Sequence, residues 1–263
     1  MTGATSAAGP VIAVRDLVKT FTRDGRTVEA MRGFSLAIAE GEFVTVVGPS
    51  GCGKSTFLHM VGGFEPVTGG ELLVDGRPVR GPGPDRGVVF QEFALFPWRT
   101  VAENVTWALE IAGRPRAERD AVAERLIAKV GLTHFRQHYP AELSGGMKQR
   151  VAIARALAND PSVLLMDEPF GALDAQTREV MQEELLKIWL GERKTIVFVT
   201  HSISESIYLA DDIVIMTARP GRIKEIVPVD LPRPRERGSP EFVAIARDVE
   251  RLVKEEVLKT GLV

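Results

Sequence analysis

Residues 43–56 read FVTVVGPSGCGKST, and this stretch decides the fold of the chain. The short apolar run FVTVV is typical of a strand buried on both faces, as in a parallel sheet. The turn that follows matches the pattern G-x-x-x-x-G-K-[ST], and the apolar spacing of residues 57–61 predicts a helix after it. Strand, glycine-rich loop and helix therefore follow one another in the order that a phosphate-binding α/β fold requires.

The glycine-rich loop, residues 48–56, carries groups suited to a polyphosphate, and we call it the phosphate loop. Its glycines let successive backbone N–H groups point inward, and the start of the helix adds partial positive charge. Lys54 can reach the β- and γ-phosphates of a nucleotide, and the Ser55 hydroxyl can ligate Mg²⁺. A glycine-rich turn with a chance lysine would not explain the strand and the helix on its two sides.

Two carboxylates follow a second apolar run. Residues 163–166 (VLLM) predict a buried strand, and Asp167 and Glu168 stand at its carboxyl end. Ligands of open α/β sheets bind at that end of the strands. One carboxylate can hold Mg²⁺ there, and the next can orient an attacking water or accept its proton. Because solvated Asp-Glu pairs are common at strand ends, this interpretation depends on the phosphate loop upstream.

Residues 143–149 (LSGGMKQ) open a predicted helix that runs through residue 158. A helix that starts with Ser144, Gly145 and Gly146 exposes a hydroxyl and several unpaired N–H groups, which makes it a second candidate anion site. In isolation, an ordinary helix N-cap explains these residues more simply.

Strand and helix signals change along the chain. Residues 11–17 are strand-like, and Asp24-Gly25 and Asp75-Gly76 are turn dipeptides of hairpins. Between about residues 92 and 159 no convincing strand occurs, which predicts an inserted helical subdomain. Helical spacing there covers residues 101–112, 116–130 and 146–158.

Strands and helices alternate again after this insertion, which argues for an α/β fold with a largely parallel sheet. Ser202 and Glu205 fit a capping box at the start of one helix. From Leu231, the stretch LPRPRERGSP predicts a linker to a charged amphipathic helix over about residues 241–259. The predicted strands are 163–166, 195–200 and 212–217, and the helices between them are 175–190 and 202–210.

The composition excludes several classes of protein. The 263 residues include 33 basic and 35 acidic side chains, and this near-neutral balance argues against a nucleic-acid-binding module. One cysteine, Cys52, rules out an internal disulfide and is typical of a reducing, cytosolic setting. No apolar run approaches the ~18–20 residues that cross a bilayer. Residues 1–10 are small and polar, so we expect a disordered lead-in and not a signal peptide.

Taken together, these residues resemble the nucleotide-binding subunit of ATP-binding-cassette (ABC) transporters over roughly residues 11–229. LSGGMKQR is a close variant of the family signature LSGGQ-x-QR, with Met147 in place of the usual glutamine. The order of phosphate loop, signature, acidic strand and late histidine is specific to this family. The resemblance implies an α/β fold: a P-loop NTPase core with a mostly parallel sheet, an N-terminal antiparallel β subdomain and an inserted α-helical subdomain.

The resemblance also implies a division into domains. Residues 11–91 and 159–230 would form the ATP-binding α/β core with the β subdomain. Residues 92–158 would form the helical subdomain that carries the signature. Residues 231–263 would form the linker and the C-terminal helix.

The family's catalytic roles carry over residue by residue. Asp167 matches the aspartate that binds Mg²⁺, Glu168 the catalytic glutamate, and His201 the histidine that contacts the γ-phosphate. Gln91 matches the glutamine that touches Mg²⁺ or the attacking water. Phe21 matches the aromatic residue that stacks on adenine, a contact worth about 1–3 kcal/mol per base.

The remaining matches concern the nucleotide. Asp174 is the last residue of the segment GALD, which is usually SALD in the family. Gly171 stands where the family has serine, so the serine hydroxyl is absent here. The signature contacts the γ-phosphate held by the opposite subunit. His59, His134 and His138 show no metal-like spacing and receive no role. The predicted nucleotide-binding residues are Phe21, Gly48, Pro49, Ser50, Gly51, Cys52, Gly53, Lys54, Ser55, Thr56, Ser144, Gly145, Gly146 and Asp174; the catalytic residues are Glu168, His201 and Gln91; the Mg²⁺ ligands are Ser55, Gln91 and Asp167.

Two stretches narrow the resemblance to a subgroup. Residues 94–101 (ALFPWRTV), and residues 218–223 (ARPGRI) with 230–235 (DLPRPR), look like importers of the nitrate, sulfonate and taurine type. This implies an ATPase subunit, using ATP and Mg²⁺, on the cytoplasmic face of the cell membrane. Its partners would be a second copy in an ATP sandwich, transmembrane permease subunits and, indirectly, a periplasmic or lipid-anchored solute-binding protein, but no nucleic acid.

The alternative is a soluble ABC-type ATPase without a membrane partner. Such proteins usually carry two cassettes or a long coiled-coil insertion, whereas here about 90 residues without sustained heptads separate Lys54 from Ser144. A lone P-loop kinase would leave the signature and residues 171–174 unexplained. The stretch QEFALFPW, residues 91–98, favours a hydrophobic partner.

Overall fold

The computed structural model describes residues 9–259. The lead-in expected at residues 1–10 lies outside them except for its last two positions. Within the described residues, no helix combines the length and the apolar character needed to cross a membrane.

The predicted strands and helices are present in the predicted order, and one further strand, residues 223–228, was not predicted. The strands are β1 (Ile12–Arg23), β2 (Arg26–Ile38), β3 (Phe43–Val47), β4 (Gly69–Val74), β5 (Arg77–Pro78), β6 (Arg86–Val89), β7 (Val163–Asp167), β8 (Thr195–Val199), β9 (Asp212–Met216) and β10 (Ile223–Pro228). The helices are α1 (Lys54–Gly62), α2 (Val101–Ile111), α3 (Arg116–Lys129), α4 (Gly145–Leu157), α5 (Ala175–Glu192), α6 (Ile203–Leu209) and α7 (Pro240–Lys259), with short 3-10 turns at Thr133–Phe135 and Pro140–Glu142.

The central sheet has six strands in the order β10-β9-β3-β8-β7-β6. Every pair except β9 with β10 is parallel. All five residues of β3 are buried, as the apolar run FVTVV predicts for an inner strand. The mostly parallel α/β fold is therefore confirmed.

A second sheet, in the order β2-β1-β4-β5, is antiparallel. Both predicted hairpin turns are present in it. Asp24 and Gly25 have φ angles of 52° and 73°, and Asp75 and Gly76 have 49° and 70°. Asp and Gly tolerate this left-handed region, and turns of that shape match the twist of the flanking strands.

The predicted helical insertion is formed by α2, α3 and α4, and within the described residues no strand lies between β6 and β7. Thr100 begins α2 with a complete capping box, because Glu103 Oε2 accepts from the Thr100 N–H at 2.8 Å and Thr100 Oγ1 accepts from the Glu103 N–H at 3.3 Å. Apolar residues of the insertion, such as Val105 and Leu126, belong to the same core cluster as Phe198 of the sheet. The helices therefore extend the core on one face of the central sheet.

The capping box predicted for α6 is only half formed. Ser202 Oγ accepts from the Glu205 N–H at 3.3 Å, as predicted. The Glu205 carboxylate, however, accepts from the Thr200 hydroxyl at 2.6 Å and from the Gln182 amide at 3.0 Å. The Ser202 N–H donates to Thr200 Oγ1 instead. A buried carboxylate bonds to the donors around it, and here tertiary neighbours replace the local partner.

The predicted linker, residues 231–240, is irregular up to residue 239, after which α7 begins at Pro240, and two arginines fix it to the core. The Arg235 side chain is buried and donates to the carbonyl oxygens of Ile207 and Val229. Arg233 donates to the Asp211 carboxylate at 2.6 Å. The helix that follows, α7, is amphipathic as predicted and buries Phe242, Val249 and Leu252, among others.

Candidate functional site

The phosphate loop connects β3 to α1 at the carboxyl end of the central sheet. Gly53 is the N-cap of α1, with φ at 105°, and no side chain caps the helix. The first N–H groups of α1 are therefore available to an anion. Only glycine adopts this φ angle readily, which explains the residue type at this position.

Lys54 is held beneath the loop. Lys54 is only 8% exposed. Its Nζ donates to the carbonyl oxygens of Gly48 at 2.9 Å and Pro49 at 3.1 Å. The Cys52 sulfur lies 3.9 Å from the same ammonium. Burial raises the pKa of the Cys52 thiol, although the Lys54 charge opposes this, so the thiol stays protonated and packs within the loop.

Asp167, the last residue of β7, meets the start of α1. Its Oδ1 accepts from the Ser55 hydroxyl at 3.1 Å. Burial raises the pKa of Asp167, while the Ser55 hydrogen bond and the nearby His59 lower it, and the net shift is upward. A hydroxyl and a carboxylate oxygen side by side are the hard ligands that Mg²⁺ prefers.

Glu168 has a left-handed backbone with φ at 43°, which is uncommon for a residue with a side chain. Its N–H donates to the carbonyl oxygen of Val199 at 2.9 Å, and its own carbonyl accepts from the Gly171 N–H at 3.0 Å. The Glu168 Oε2 atom lies 3.2 Å from Nδ1 of His201. Two backbone bonds and one side-chain contact therefore fix the direction of this carboxylate.

Lys54, Ser55 and Glu168 line one cavity of about 390 Å³. Phe21 is 39% exposed at its rim, and the sheet register places Val28 directly opposite Phe21. An apolar wall at one end and the phosphate loop at the other suit a ligand with a flat base and a charged tail. The lining residues are Phe21, Val28, Ala30, Ser50, Gly51, Gly53, Lys54, Ser55, Thr56, Glu168 and Arg219.

Val28, Ala30 and Arg219 line this cavity but were not predicted as site residues. Val28 and Ala30 lie on β2, and only the β1–β2 register brings them beside Phe21, so the sequence pattern carried no signal for them. Arg219 belongs to the stretch ARPGRI, which the sequence analysis used only to identify a subgroup.

The signature residues do not line the cavity. Ser144 is the N-cap of α4, and its Oγ accepts from the Met147 N–H at 3.3 Å. Asp174 is the N-cap of α5 and accepts from the Thr177 N–H at 3.0 Å. A Cβ added to Gly146 would lie 2.8 Å from the Thr177 side chain, so the two helix starts touch. The signature and the GALD segment therefore lie together, apart from the residues that line the cavity.

Gln91 and His59 adjoin the acidic strand. A Cβ added to Gly171 would lie 3.4 Å from the Gln91 amide nitrogen, which places Gln91 beside the turn that follows Glu168. His59, which received no role from the sequence, has its Nε2 atom 3.9 Å from Oδ2 of Asp167. Because Ser55 and His59 are four residues apart on α1, helical spacing could have identified this neighbour.

A metal ion at this site would have few protein ligands. Among residues 9–259, no three His, Cys, Asp or Glu side chains form a cluster that could hold a metal ion. Mg²⁺ bound with a nucleotide needs only one or two protein ligands, because phosphate oxygens and waters complete its shell. The Ser55–Asp167 pair therefore fits such an ion.

Comparison with known proteins agrees with this geometry. The sequence profile described as ABC transporter matches residues 31–171. An uncharacterized ABC transporter ATP-binding protein of Methanocaldococcus jannaschii is 56% identical over 247 residues, 94% of this chain and 92% of that protein. An aliphatic sulfonates import ATP-binding protein of Bacillus cereus is 46% identical over 238 residues, 90% of this chain and 94% of that protein.

The fold also resembles solved structures. A dimeric, post-hydrolysis state of an ATP-binding cassette bound to ADP and Pi superposes with a TM-score of 0.73 at 34% sequence identity. The match covers 84% of this chain and 99% of that chain.

Proposed function

The chain belongs to the ABC transporter family and is an ATPase, and from that premise we propose that it energises an importer of a small anionic solute. The observation that carries the proposal is that the phosphate loop and Glu168 line one cavity, while Asp167 accepts a hydrogen bond from Ser55 of that loop. The solute class, of the nitrate, sulfonate or taurine type, is supported by the similarity to a sulfonate import protein and by the stretches ARPGRI and DLPRPR.

The cavity would bind ATP with its base at the rim and its phosphates on the loop. The adenine would stack on Phe21, against the apolar wall that Val28 and Ala30 complete. The phosphates would accept hydrogen bonds from the N–H groups of residues 51–56. Lys54 would exchange its carbonyl partners, Gly48 and Pro49, for phosphate oxygens, because a charged acceptor binds an ammonium more strongly.

Ser55 and Asp167 would hold Mg²⁺, with Gln91 as a third ligand. Bound there, the ion would neutralise phosphate charge as the terminal phosphoryl group is transferred to water. The positions of Ser55 and Asp167 across the junction of α1 and β7 support this assignment.

Glu168 would act as the general base. A carboxylate at the carboxyl end of β7 faces the cavity and can accept the proton of an attacking water. The His201 contact would hold this carboxylate in place, and the imidazole would also touch the γ-phosphate. Free phosphate and ADP would then leave the cavity.

A second copy would complete the site. Ser144, Gly145 and Gly146 lie outside the chain's own cavity, so their anion-binding N–H groups need a nucleotide supplied by another molecule. A similar ATP-binding cassette is dimeric in its solved structure. Two copies would therefore sandwich two ATP molecules, each between one phosphate loop and the partner's signature.

The membrane subunit would dock on the aromatic stretch at residues 93–98. Phe93 and Leu95 pack partly into the core, whereas the Trp98 side chain is 72% exposed. Large exposed aromatic side chains are frequent anchors of protein interfaces. Closure and reopening of the ATP sandwich would then move the permease.

Copurification tests the proposal against a soluble ABC-type ATPase. The tagged full chain would be purified in mild detergent from the membranes of its own host. We expect a multi-span membrane protein in stoichiometric amount, and its loss with a Trp98→Ala variant that still binds ATP. Recovery of ribosomes or of no partner would instead favour the soluble alternative.

A further inference from the structure

The loop between β9 and β10, residues 217–222 (TARPGR), is a compact turn that the proposed function does not use. The Thr217 N–H donates to the carbonyl oxygen of Arg222 at 2.9 Å. The Thr217 hydroxyl donates to the carbonyl oxygen of Pro220 at 3.0 Å. These bonds close the loop on itself, so its residues keep a fixed position relative to the sheet.

At Gly221 this loop, which we call the wedged loop, packs between β2 and the phosphate loop. The Gly221 N–H donates to the carbonyl oxygen of Ala30 at 2.9 Å, and its own carbonyl accepts from the Arg32 N–H at 3.2 Å. A Cβ added to Gly221 would lie 2.2 Å from the carbonyl oxygen of Cys52. Only glycine fits this approach, and the loop backbone is therefore in direct contact with the phosphate loop.

Arg219 extends from the wedged loop into the nucleotide cavity. Its Nη2 donates to the carbonyl oxygen of Gly51 at 3.3 Å, and its side chain lines the cavity with Lys54 and Phe21. Among the described residues, Gly51 is the one hydrogen-bond partner of this guanidinium. Arg219 is exposed, and a guanidinium carries five N–H donors in a planar fork that matches phosphate oxygens, so most of its donors are available to a ligand.

The C-terminal helix fixes the residue before Arg219. The side chain of Glu256, on α7, is 2% exposed and accepts from the Ala218 N–H at 3.1 Å. It also accepts from Lys224 at 3.1 Å and Lys259 at 2.6 Å. Burial raises the pKa of Glu256, but these hydrogen bonds outweigh burial and hold the pKa below its usual value. The carboxylate stays charged, and its bonds fasten the loop to α7.

We propose that Arg219 is a second cation of the nucleotide site, binding phosphate oxygens beside the phosphate loop, and that α7 holds it there through Glu256. The phosphate end is favoured over the base because the Arg219 partner, Gly51, lies in the middle of the phosphate loop. The inference rests on the proposed function, since it requires that this cavity binds nucleotide.

Calorimetric titration of the purified full chain with ATP and with inorganic triphosphate tests the role of Arg219. Loss of one charge-assisted hydrogen bond should raise both dissociation constants roughly tenfold in Arg219→Ala. Arg219→Lys, which keeps the charge but not the fork, should recover part of the loss. Arg222→Ala is the matched control, because it removes an exposed arginine of the same loop that does not line the cavity.

A double-mutant cycle tests the role of α7. Glu256→Gln keeps an acceptor for Ala218 but weakens its bonds, and it should raise the ATP dissociation constant a few-fold. In the Arg219→Ala background the same change should have no further effect, because the helix acts through the arginine. Glu250→Gln, an exposed acid on α7, is the control. Equal effects of Glu256→Gln in both backgrounds would contradict this link.

The outcomes separate the inference from the proposed function. If the wild type binds ATP, Lys54→Ala weakens binding and Arg219→Ala does not, Arg219 is no ligand and the inference alone fails. If Arg219→Ala weakens ATP but not triphosphate, the arginine contacts base or ribose, and the phosphate assignment is overturned. If the wild type binds no ATP, the proposed function itself fails. Melting temperatures show that each variant is folded, and Arg219→Lys gives a milder substitution should Arg219→Ala unfold.

Discussion

The Nδ1 atom of His201 lies 3.2 Å from Oε2 of Glu168. The two residues are 33 positions apart in sequence, and the contact arises because β7 and β8 are parallel neighbours. Glu168 follows the end of β7 and His201 follows the end of β8, so both side chains emerge at the same edge of the sheet. The same edge carries the phosphate loop at the end of β3.

Glu168→Gln should abolish hydrolysis while ATP binding persists. The amide has nearly the shape of the carboxylate but cannot accept a proton from water. The variant should therefore accumulate as an ATP-bound dimer, visible by light scattering after gel filtration. Phosphate release within a few-fold of the wild-type rate would contradict the role of Glu168 as general base.

Lys54→Ala should weaken ATP binding by at least about tenfold, since hydrogen bonds to charged groups are worth ~1.5–3 kcal/mol. The dissociation constant for ATP checks this. A melting curve shows whether the variant is still folded, because the Gly48 and Pro49 carbonyls lose their donor. Lys187→Ala, an exposed lysine on α5, is the matched control. An unchanged dissociation constant in Lys54→Ala would remove the phosphate-binding role of this lysine.

Trp98→Ala should weaken assembly with the membrane subunit and leave ATP affinity intact. Trp98 is 72% exposed. Loss of an interface anchor can cost about 2 kcal/mol of binding free energy or more. Phe96→Ala is less decisive because the Phe96 ring also lies 5.0 Å from the Trp107 ring. A pull-down is compared with Ile226→Ala, which truncates an exposed side chain on β10. Normal assembly of Trp98→Ala would place the docking site elsewhere.

The contribution of Glu42 to the stability of the fold should fall as pH rises from about 4.5 to about 7. Burial, together with Asp212, raises the pKa of Glu42 from its usual value of 4.5 to about 7, although the Ala39 N–H opposes this. The folded state thus binds this proton more tightly than the unfolded state, so deprotonation of Glu42 costs stability. At pH 8, the free energy of unfolding of Glu42→Gln should be roughly 1 kcal/mol higher than that of the wild type. This is less than the pKa shift would give for a fully buried group, because solvent screens a half-buried carboxylate.

Urea unfolding at pH 5 and pH 8 measures this effect. The Glu42→Gln variant should depend less on pH than the wild type. Its exposed neighbour Glu40, changed to Gln, should leave the dependence as it is. An identical pH dependence in Glu42→Gln and wild type would show that another group is responsible.

Local patterns predicted most of the fold. FVTVV, the Asp-Gly turns and the helical spacing of residues 101–158 depend on neighbours in sequence, and each element formed where it was expected. β10 was missed because Lys224 and Glu225 interrupt its apolar pattern, which an edge strand tolerates. The prediction that the Glu205 carboxylate caps the start of α6 was wrong, because this carboxylate accepts from Thr200 and Gln182 instead.

The site was predicted wherever a motif carries it and missed where tertiary contacts build it. Glu168 lines the cavity with the phosphate loop and Asp167 bonds to Ser55 of that loop, because the strand ends of one sheet converge. Val28 lines the cavity only through the register of β1 with β2, and Arg219 only through the wedged loop. Neither position could be read from local spacing, since both depend on pairings between distant segments.

The claim that two copies share each ATP is tested most directly by mixing two inactive variants. Lys54→Ala damages the phosphate loop and Ser144→Arg damages the signature. In a heterodimer, one site then pairs an intact loop with an intact signature, while the other site carries both lesions. As a control, heterodimers of wild type with Lys54→Ala must first turn over ATP, which would show that one intact site suffices. We predict that the mixture regains ATPase activity that neither variant shows alone; confirmed heterodimers without activity would contradict the shared site.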